Sequence, residues 1–127
     1  MIDDKRIKIL IIEDDPFLLS MYTTKFELEN FNVISADDGK RGLKLALEEK
    51  PDIILLDILL PKMNGFEMLK ILKSDKSAES IPVILLTNLS QKDEVEQGLN
   101  LGAVDYLIKA HFMPSEVVEK IKKYIKK

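Results

Sequence analysis

The sequence predicts an α/β protein in which five parallel strands form one sheet flanked by five helices. Three observations predict it. Five short apolar runs, most of them rich in β-branched residues, recur along the chain. Between them lie stretches whose apolar residues fall at helical spacing. The two kinds of segment alternate strictly, which places helices on both faces of a parallel sheet.

The first run, Ile7 to Ile12, is short and β-branched and suits a strand. Asp15 then caps a helix that has Pro16 at its first position. Phe17, Leu18, Met21, Tyr22 and Phe26 form its apolar stripe, and Asn30 ends it. Phe31 to Ala36 is the second strand, and Asp37-Asp38-Gly39 is a turn. Leu43, Leu45, Ala46 and Leu47 mark the second helix, which Pro51 breaks. The run Ile53 to Leu56 is continuously apolar, as expected of a strand covered on both faces. A loop from Leu60 to Gly65 leads to a third helix carrying Phe66, Leu69, Ile71 and Leu72. Pro82 opens the fourth strand, Val83 to Leu86. Ser90 with Asp93 three residues on marks the start of the fourth helix, which turns Val95 and Leu99 inward and ends at Gly102. Val104 to Ile108 is the fifth strand. Pro114 and Ser115 open the last helix, with Val117, Val118, Ile121, Tyr124 and Ile125 as its stripe.

Composition narrows the functional classes. The 127 residues, 46% hydrophobic, suffice for one domain over 1–127 with its own core. There is no cysteine, so neither a disulfide framework nor a thiolate metal site can form. One histidine, His111, excludes a His-based metal cluster. The net charge of −3, from 19 basic and 22 acidic residues, lacks the excess of positive charge that nucleic-acid binding needs. No apolar run approaches the roughly 20 residues of a membrane span, and the first residues lack a signal-peptide core. A soluble cytoplasmic protein with no nucleic-acid or membrane partner is expected.

Ligands of parallel α/β sheets bind beyond the carboxyl ends of the strands. The first strand ends in Glu13-Asp14-Asp15, the third in Asp57, the fourth in Thr87 and the fifth in Lys109. Clustered carboxylates repel unless something neutralises them. A hard divalent cation such as Mg²⁺ does so. Lys109 offsets further charge, and Thr87 offers a hydroxyl. A carboxylate can itself act as nucleophile and form an aspartyl phosphate, with metal and lysine shielding the phosphoryl oxygens. The set therefore has one coherent use, accepting a phosphoryl group. Taken singly the residues have plainer readings: Asp57 as a turn residue, Asp15 as a helix cap, Lys109 as a surface lysine, Thr87 as a strand end, Tyr106 as packing.

Nearly the whole chain resembles the receiver domain of two-component response regulators. Four segments carry the resemblance: Ile9 to Pro16 with its acidic motif, Asp52 to Asp57 followed by Pro61-Lys62-Met63-Asn64-Gly65, Leu86-Thr87, and Gly102 to Lys109. The resemblance implies a flavodoxin-like fold with strand order 2-1-3-4-5. It also implies roles. Asp57 would accept phosphate from a sensor histidine kinase or a phosphotransfer protein. Asp14, Asp57 and the Leu59 backbone carbonyl would hold Mg²⁺ or Mn²⁺, with Glu13 acting through a water. Thr87 and Lys109 would grip the phosphoryl oxygens, and Tyr106 would swing inward as Thr87 shifts. The face formed by helix four, strand five and helix five would signal to an output protein, so the chain would be a signalling phosphoacceptor and not an enzyme.

Two positions depart from the family's pattern. Proline is missing after Lys109, where the chain reads Ala110-His111-Phe112-Met113-Pro114. A non-proline cis bond costs about 2.5–4 kcal/mol, so a trans Lys109–Ala110 bond and a rerouted loop are expected. Asn88 stands where the family commonly has a small residue, which implies slower phosphate exchange. Two rival readings remain: a small phosphatase or phosphotransferase, which would need a substrate pocket and a second acid/base beside Asp57, and a receiver-like module that binds partners without phosphorylation.

Overall fold

The strand β1 (Lys8–Ile12) lies between two neighbours in the sheet. Ile9 to Ile12 pair with Val33 to Ala36 of β2 (Asn32–Ala36) on one side and with Ile53 to Leu56 of β3 (Ile53–Asp57) on the other. Strands β4 (Val83–Thr87) and β5 (Asp105–Ile108) follow, giving the order β2-β1-β3-β4-β5 with every pairing parallel. This flavodoxin-like arrangement is the one expected. The computed structural model describes residues 5–88, 92–109 and 113–125. The expected trans Lys109–Ala110 bond, the rerouted loop through His111 and the cap at Ser90 lie outside those residues.

Strand side chains alternate between the two faces, and each face is buried. Leu10, Ile12, Ile54, Leu56 and Leu85 pack with Ala46 of α2 (Gly39–Glu49) and with Met68, Leu69 and Leu72 of α3 (Gly65–Ser74). Ile9, Ile11, Ile53, Leu55 and Leu107 pack on the other face. Their partners are Tyr22 and Phe26 of α1 (Pro16–Leu28) and Val117, Val118 and Ile121 of α5 (Pro114–Lys122). Each fully buried Leu or Ile contributes about 1.5–3 kcal/mol.

The helix starts sharpen several expectations. Asp15 caps α1, its Oδ1 accepting from Phe17 N–H at 2.9 Å and Leu18 N–H at 3.2 Å. Asp37-Asp38-Gly39, expected as a turn, contains the cap of α2: Asp38 Oδ1 accepts from Arg41 N–H at 2.8 Å, so the helix already begins at Gly39. Gly65, expected in a loop, opens α3 behind a reciprocal cap between Asn64 and Glu67. At the far end of α1, Asn30 takes a φ of 67° just beyond the helix.

Two inward assignments and one strand boundary are corrected. Phe17 is 74% exposed. It lies five residues before Tyr22, roughly 140° round the helix, and so off the buried stripe. Leu99 of α4 (Lys92–Asn100) is 39% exposed; Gly98, three residues after buried Val95, takes the inward position. A Cβ on Gly98 would overlap Leu85 Cδ1, so α4 lies close against β4 there. Val104 precedes β5 and is exposed.

Phe26 is fully buried and meets Phe31 edge-on, with ring centroids 5.0 Å apart. Phe26→Ala should lower stability by about 3–5 kcal/mol, measured from the urea unfolding midpoint at unchanged slope. A loss under about 1 kcal/mol would show that α1 collapses onto the sheet without it.

Candidate functional site

The parallel register brings four strand ends to one rim. Ile12 pairs with Leu56, Asp57 with Leu86, and Thr87 with Ile108. Glu13 N–H donates to the Ala36 carbonyl at 3.1 Å, which extends the β1 ladder by one residue and fixes the direction of the Glu13 side chain.

Alternation then sorts the side chains. Glu13 continues the parity of Ile9 and Ile11, Asp57 that of Ile53 and Leu55, and Lys109 that of Leu107, all of them apolar residues of the α1–α5 face. Thr87 has the parity of Val83 and Leu85, which belong to the opposite core, and Tyr106 packs half-buried against that core. The sequence places all these residues at one rim. The structure divides them between two faces of it.

On the α1–α5 face the charges meet. Lys109 Nζ lies 2.5 Å from Glu13 Oε1 and 2.9 Å from Asp57 Oδ2. Glu13 is completely buried and Asp57 nearly so, at 4% exposure. Glu13 Oε2 accepts from Asp15 N–H at 3.0 Å, and Asp57 Oδ1 accepts from Leu59 N–H at 3.3 Å. Asp14 is exposed, and its carboxylate reaches the same place: ligand oxygens of Glu13, Asp14 and Asp57 lie within 4.8 Å of one another. Asp15, Pro16, Leu18, Leu59 and Asn88 complete the walls of an open cleft. Thr87 and Tyr106 are not among its lining residues.

The electrostatics follow from burial. Removal from water pushes the Glu13 carboxyl above the usual carboxylate range, against the pull of Lys109 and the Asp15 N–H. Asp14 is also raised, first by partial burial and then by Glu13 beside it. Burial works to lower Lys109, but its bonds to Glu13 and Asp57 outweigh that and hold the ammonium above its ordinary value.

Three carboxylates with no soft donor among them could hold a hard divalent cation. Asp15 is committed to capping α1. A buried carboxylate that faces such a cluster can also serve as a nucleophile.

One neighbour had no sequence signal. Tyr22 of α1 is 2% exposed, and its hydroxyl feels Lys109, Glu13 and Asp57. Burial is the main cause that raises its pKa. Its spacing marked it as core, and only the fold puts it beside the charges.

Residues 9–122 match the family described as response regulator receiver domain. The chain belongs to that family. The receiver is 38% identical to PilH of Pseudomonas aeruginosa, over 80% of this chain and 84% of PilH. It is 41% identical to the DNA-binding dual master transcriptional regulator RpaA of Synechocystis, over 80% of this chain and 42% of RpaA. With PhoP of Bacillus subtilis, an alkaline phosphatase synthesis regulator, identity is 37% over 94% of this chain and 49% of PhoP. The chain thus spans about half the length of the last two relatives. Among solved structures, the receiver domain of the Francisella response regulator 1452 superposes with a TM-score of 0.86 at 31% identity, covering 94% of this chain and 96% of that one. Chemotaxis regulator CheY4 of Vibrio cholerae shares the fold, with a TM-score of 0.89 at 24% identity over 95% of this chain and 100% of that one. Receivers are signalling phosphoacceptors that interact with histidine kinases, and the acidic cleft of this receiver is consistent with an acceptor aspartate. No described helix is long and apolar enough to cross a membrane.

Lys109→Met leaves two buried carboxylates facing each other without a cation. Stability at neutral pH should fall by about 3–5 kcal/mol, read from urea unfolding. Raised carboxyl pKa values mean that the native state binds protons more readily than the unfolded chain. Their contribution to stability is therefore lost as pH rises, and the deficit of the variant should shrink on mild acidification. A deficit that does not change with pH would contradict this account.

Proposed function

We propose that the receiver accepts a phosphoryl group on Asp57 from a sensor histidine kinase or phosphotransfer protein, and passes the change to an output protein. The observation that carries this reading is the placement of Asp57: a nearly buried carboxylate at the end of β3, 2.9 Å from Lys109 and within one carboxylate cluster. The reported BeF3-activated form of the RstA receiver of Klebsiella pneumoniae, 28% identical to this chain with a TM-score of 0.86 over 94% of this chain and 99% of that one, supports it.

In the proposed reaction a carboxylate oxygen of Asp57 attacks phosphorus. The bond from phosphorus to the donor nitrogen breaks, and an acyl phosphate forms. Asp14, Asp57 and the Leu59 carbonyl would hold a divalent cation directly, and Glu13 through a water. That cation supplies positive charge against the phosphoryl oxygens. Lys109 already faces Asp57 and would bond one phosphoryl oxygen. Thr87, at the end of β4, would bond another by shifting toward the rim.

Each charge-assisted bond contributes about 1.5–3 kcal/mol, enough to shift a two-state equilibrium tenfold or more. The shift of Thr87 opens space for Tyr106, which lies on the same sheet face. The changed surface of α4, β5 and α5 would be read by the output protein.

Incubation with acetyl phosphate and Mg²⁺ should add one phosphate, seen by intact mass, in the wild type and none in Asp57→Asn. An adduct that persists in the variant, or that forms equally well without divalent cation, would sink the proposal.

Asn88 lines the cleft and is exposed. Its amide would crowd the entering group. Asn88→Ala should speed both phosphorylation and hydrolysis several-fold, followed by the rise and decay of the same adduct. Unchanged rates would remove Asn88 from the account.

A further inference from the structure

The loop that joins Asp57 to α3 is gripped on two sides by glycines. On one side, Gly65 N–H donates to the Ile58 carbonyl at 2.8 Å. A Cβ on Gly65 would stand 2.5 Å from the Asp57 carbonyl oxygen and 2.8 Å from Ile58 Cα. The start of α3 therefore touches the backbone of the acceptor itself.

The other side belongs to α2. Gly39 N–H donates to the Pro61 carbonyl at 3.4 Å. Lys62 Nζ lies 3.5 Å from Asp38 Oδ2. A Cβ on Gly39 would overlap the Met63 carbonyl oxygen, and would stand 2.7 Å from the Met63 carbonyl carbon and 2.9 Å from its Cβ. The nearest of these atoms are backbone, in a loop that is already tightly bent: Lys62 holds a φ of 68°, and Met63 N–H donates to the Pro61 carbonyl at 2.7 Å. Backbone cannot swing aside as the end of a side chain does. Position 39 and the loop cannot both keep their places once a side chain is present.

We propose that Gly39 is a positioning residue for the acceptor loop. Its bare Cα lets α2 press against Pro61, Lys62 and Met63, and this contact fixes where Leu59 presents its backbone to Asp57. The inference rests on the function proposed above. Leu59 N–H bonds Asp57 Oδ1 at 3.3 Å, and the Leu59 carbonyl is the proposed metal ligand. Gly39 does not line the cleft, so it acts only through the loop. Geometry this near a reacting centre is costly to disturb: a displacement of about 1 Å can cost about a hundredfold in rate.

An ordinary helical explanation for the glycine is weak. Gly39 is not among the described residues with positive φ. Alanine at a helix position of that kind normally favours the helix. A loss caused by Gly39→Ala therefore reports the contact with the loop.

The test is metal affinity, read from the electron paramagnetic resonance signal of free Mn²⁺, at a temperature well below the melting transition. Gly39→Ala should bind Mn²⁺ at least about fivefold more weakly than wild type and take up phosphate from acetyl phosphate more slowly. A folded Gly39→Ala whose Mn²⁺ affinity stays within about twofold of wild type overturns the inference.

Should that variant fail to fold by circular dichroism, the wild type decides, because coupling is reciprocal. Titration with Mg²⁺ should then move the amide resonance of Gly39, while that of Lys50 at the far end of α2 stays in place. A Gly39 amide unmoved at saturation overturns the inference. A wild type that binds no Mn²⁺ and forms no adduct refutes the proposed function instead, so the two failures are distinguishable.

Discussion

Everything at the rim depends on one buried cation. Lys109 sits between Glu13 and Asp57, with its side chain 9% exposed. Without it, two carboxylates would share a site from which water is largely excluded, and one of them would have to take up a proton. With it, one ammonium faces both carboxylates at the end of an apolar sheet. The bridge joins the loops after β1 and β5 to the last residue of β3, so its geometry is inherited from strand register and not from any one loop. It also orders the site. Glu13 has both oxygens engaged by protein groups, whereas Asp14 faces solvent and is the more accessible carboxylate.

The outer frame is held by similar devices at lower stakes. At the opposite end of the sheet, Asp105 at the start of β5 accepts from the Tyr124 hydroxyl at 2.5 Å and pairs with Lys120 at 3.2 Å. Burial there works to raise the Asp105 carboxyl, but those bonds and the Tyr106 N–H outweigh it and hold it below the usual range. The end of α5 is thus tied to β5. Asp15, Asp38 and Asn64 cap the first turns of helices α1, α2 and α3.

Most of the architecture was legible because the apolar period differs between strand and helix, and because strict alternation leaves a parallel sheet as the natural solution. The rim residues were legible for the same reason: strand ends in a parallel sheet must meet. Depth was less legible. Glu13 and Asp14 are adjacent in sequence, yet one is fully buried and the other exposed. That follows from pleat parity only once the extra Glu13–Ala36 rung is known. Thr87 and Tyr106 were grouped with Asp57 by position, whereas parity sets them on the other face.

Leu99 looked like the inward residue of α4, since hydrophobicity is visible in a sequence and the close approach at Gly98 is not. The cap at Asn64 and Glu67 was available in the spacing of those residues. The contact between Gly39 and Met63 was not, because it joins the start of α2 to the loop after β3, and their meeting depends on how β1, β2 and β3 are aligned.

The division of the rim between two faces has a consequence for ionic strength. Under the proposed function, the donor approaches a side of the sheet that carries exposed Asp14 and Asp15 beside the reacting carboxylate. Charges at such a rim act over about one Debye length, roughly 8 Å at physiological salt. Tyr106 lies on the other face of the sheet from that charge and packs half-buried against the apolar core there. The output protein would therefore sense altered packing, which salt scarcely screens. Under the proposed function, loading would therefore vary with ionic strength more than the packing change at Tyr106 does.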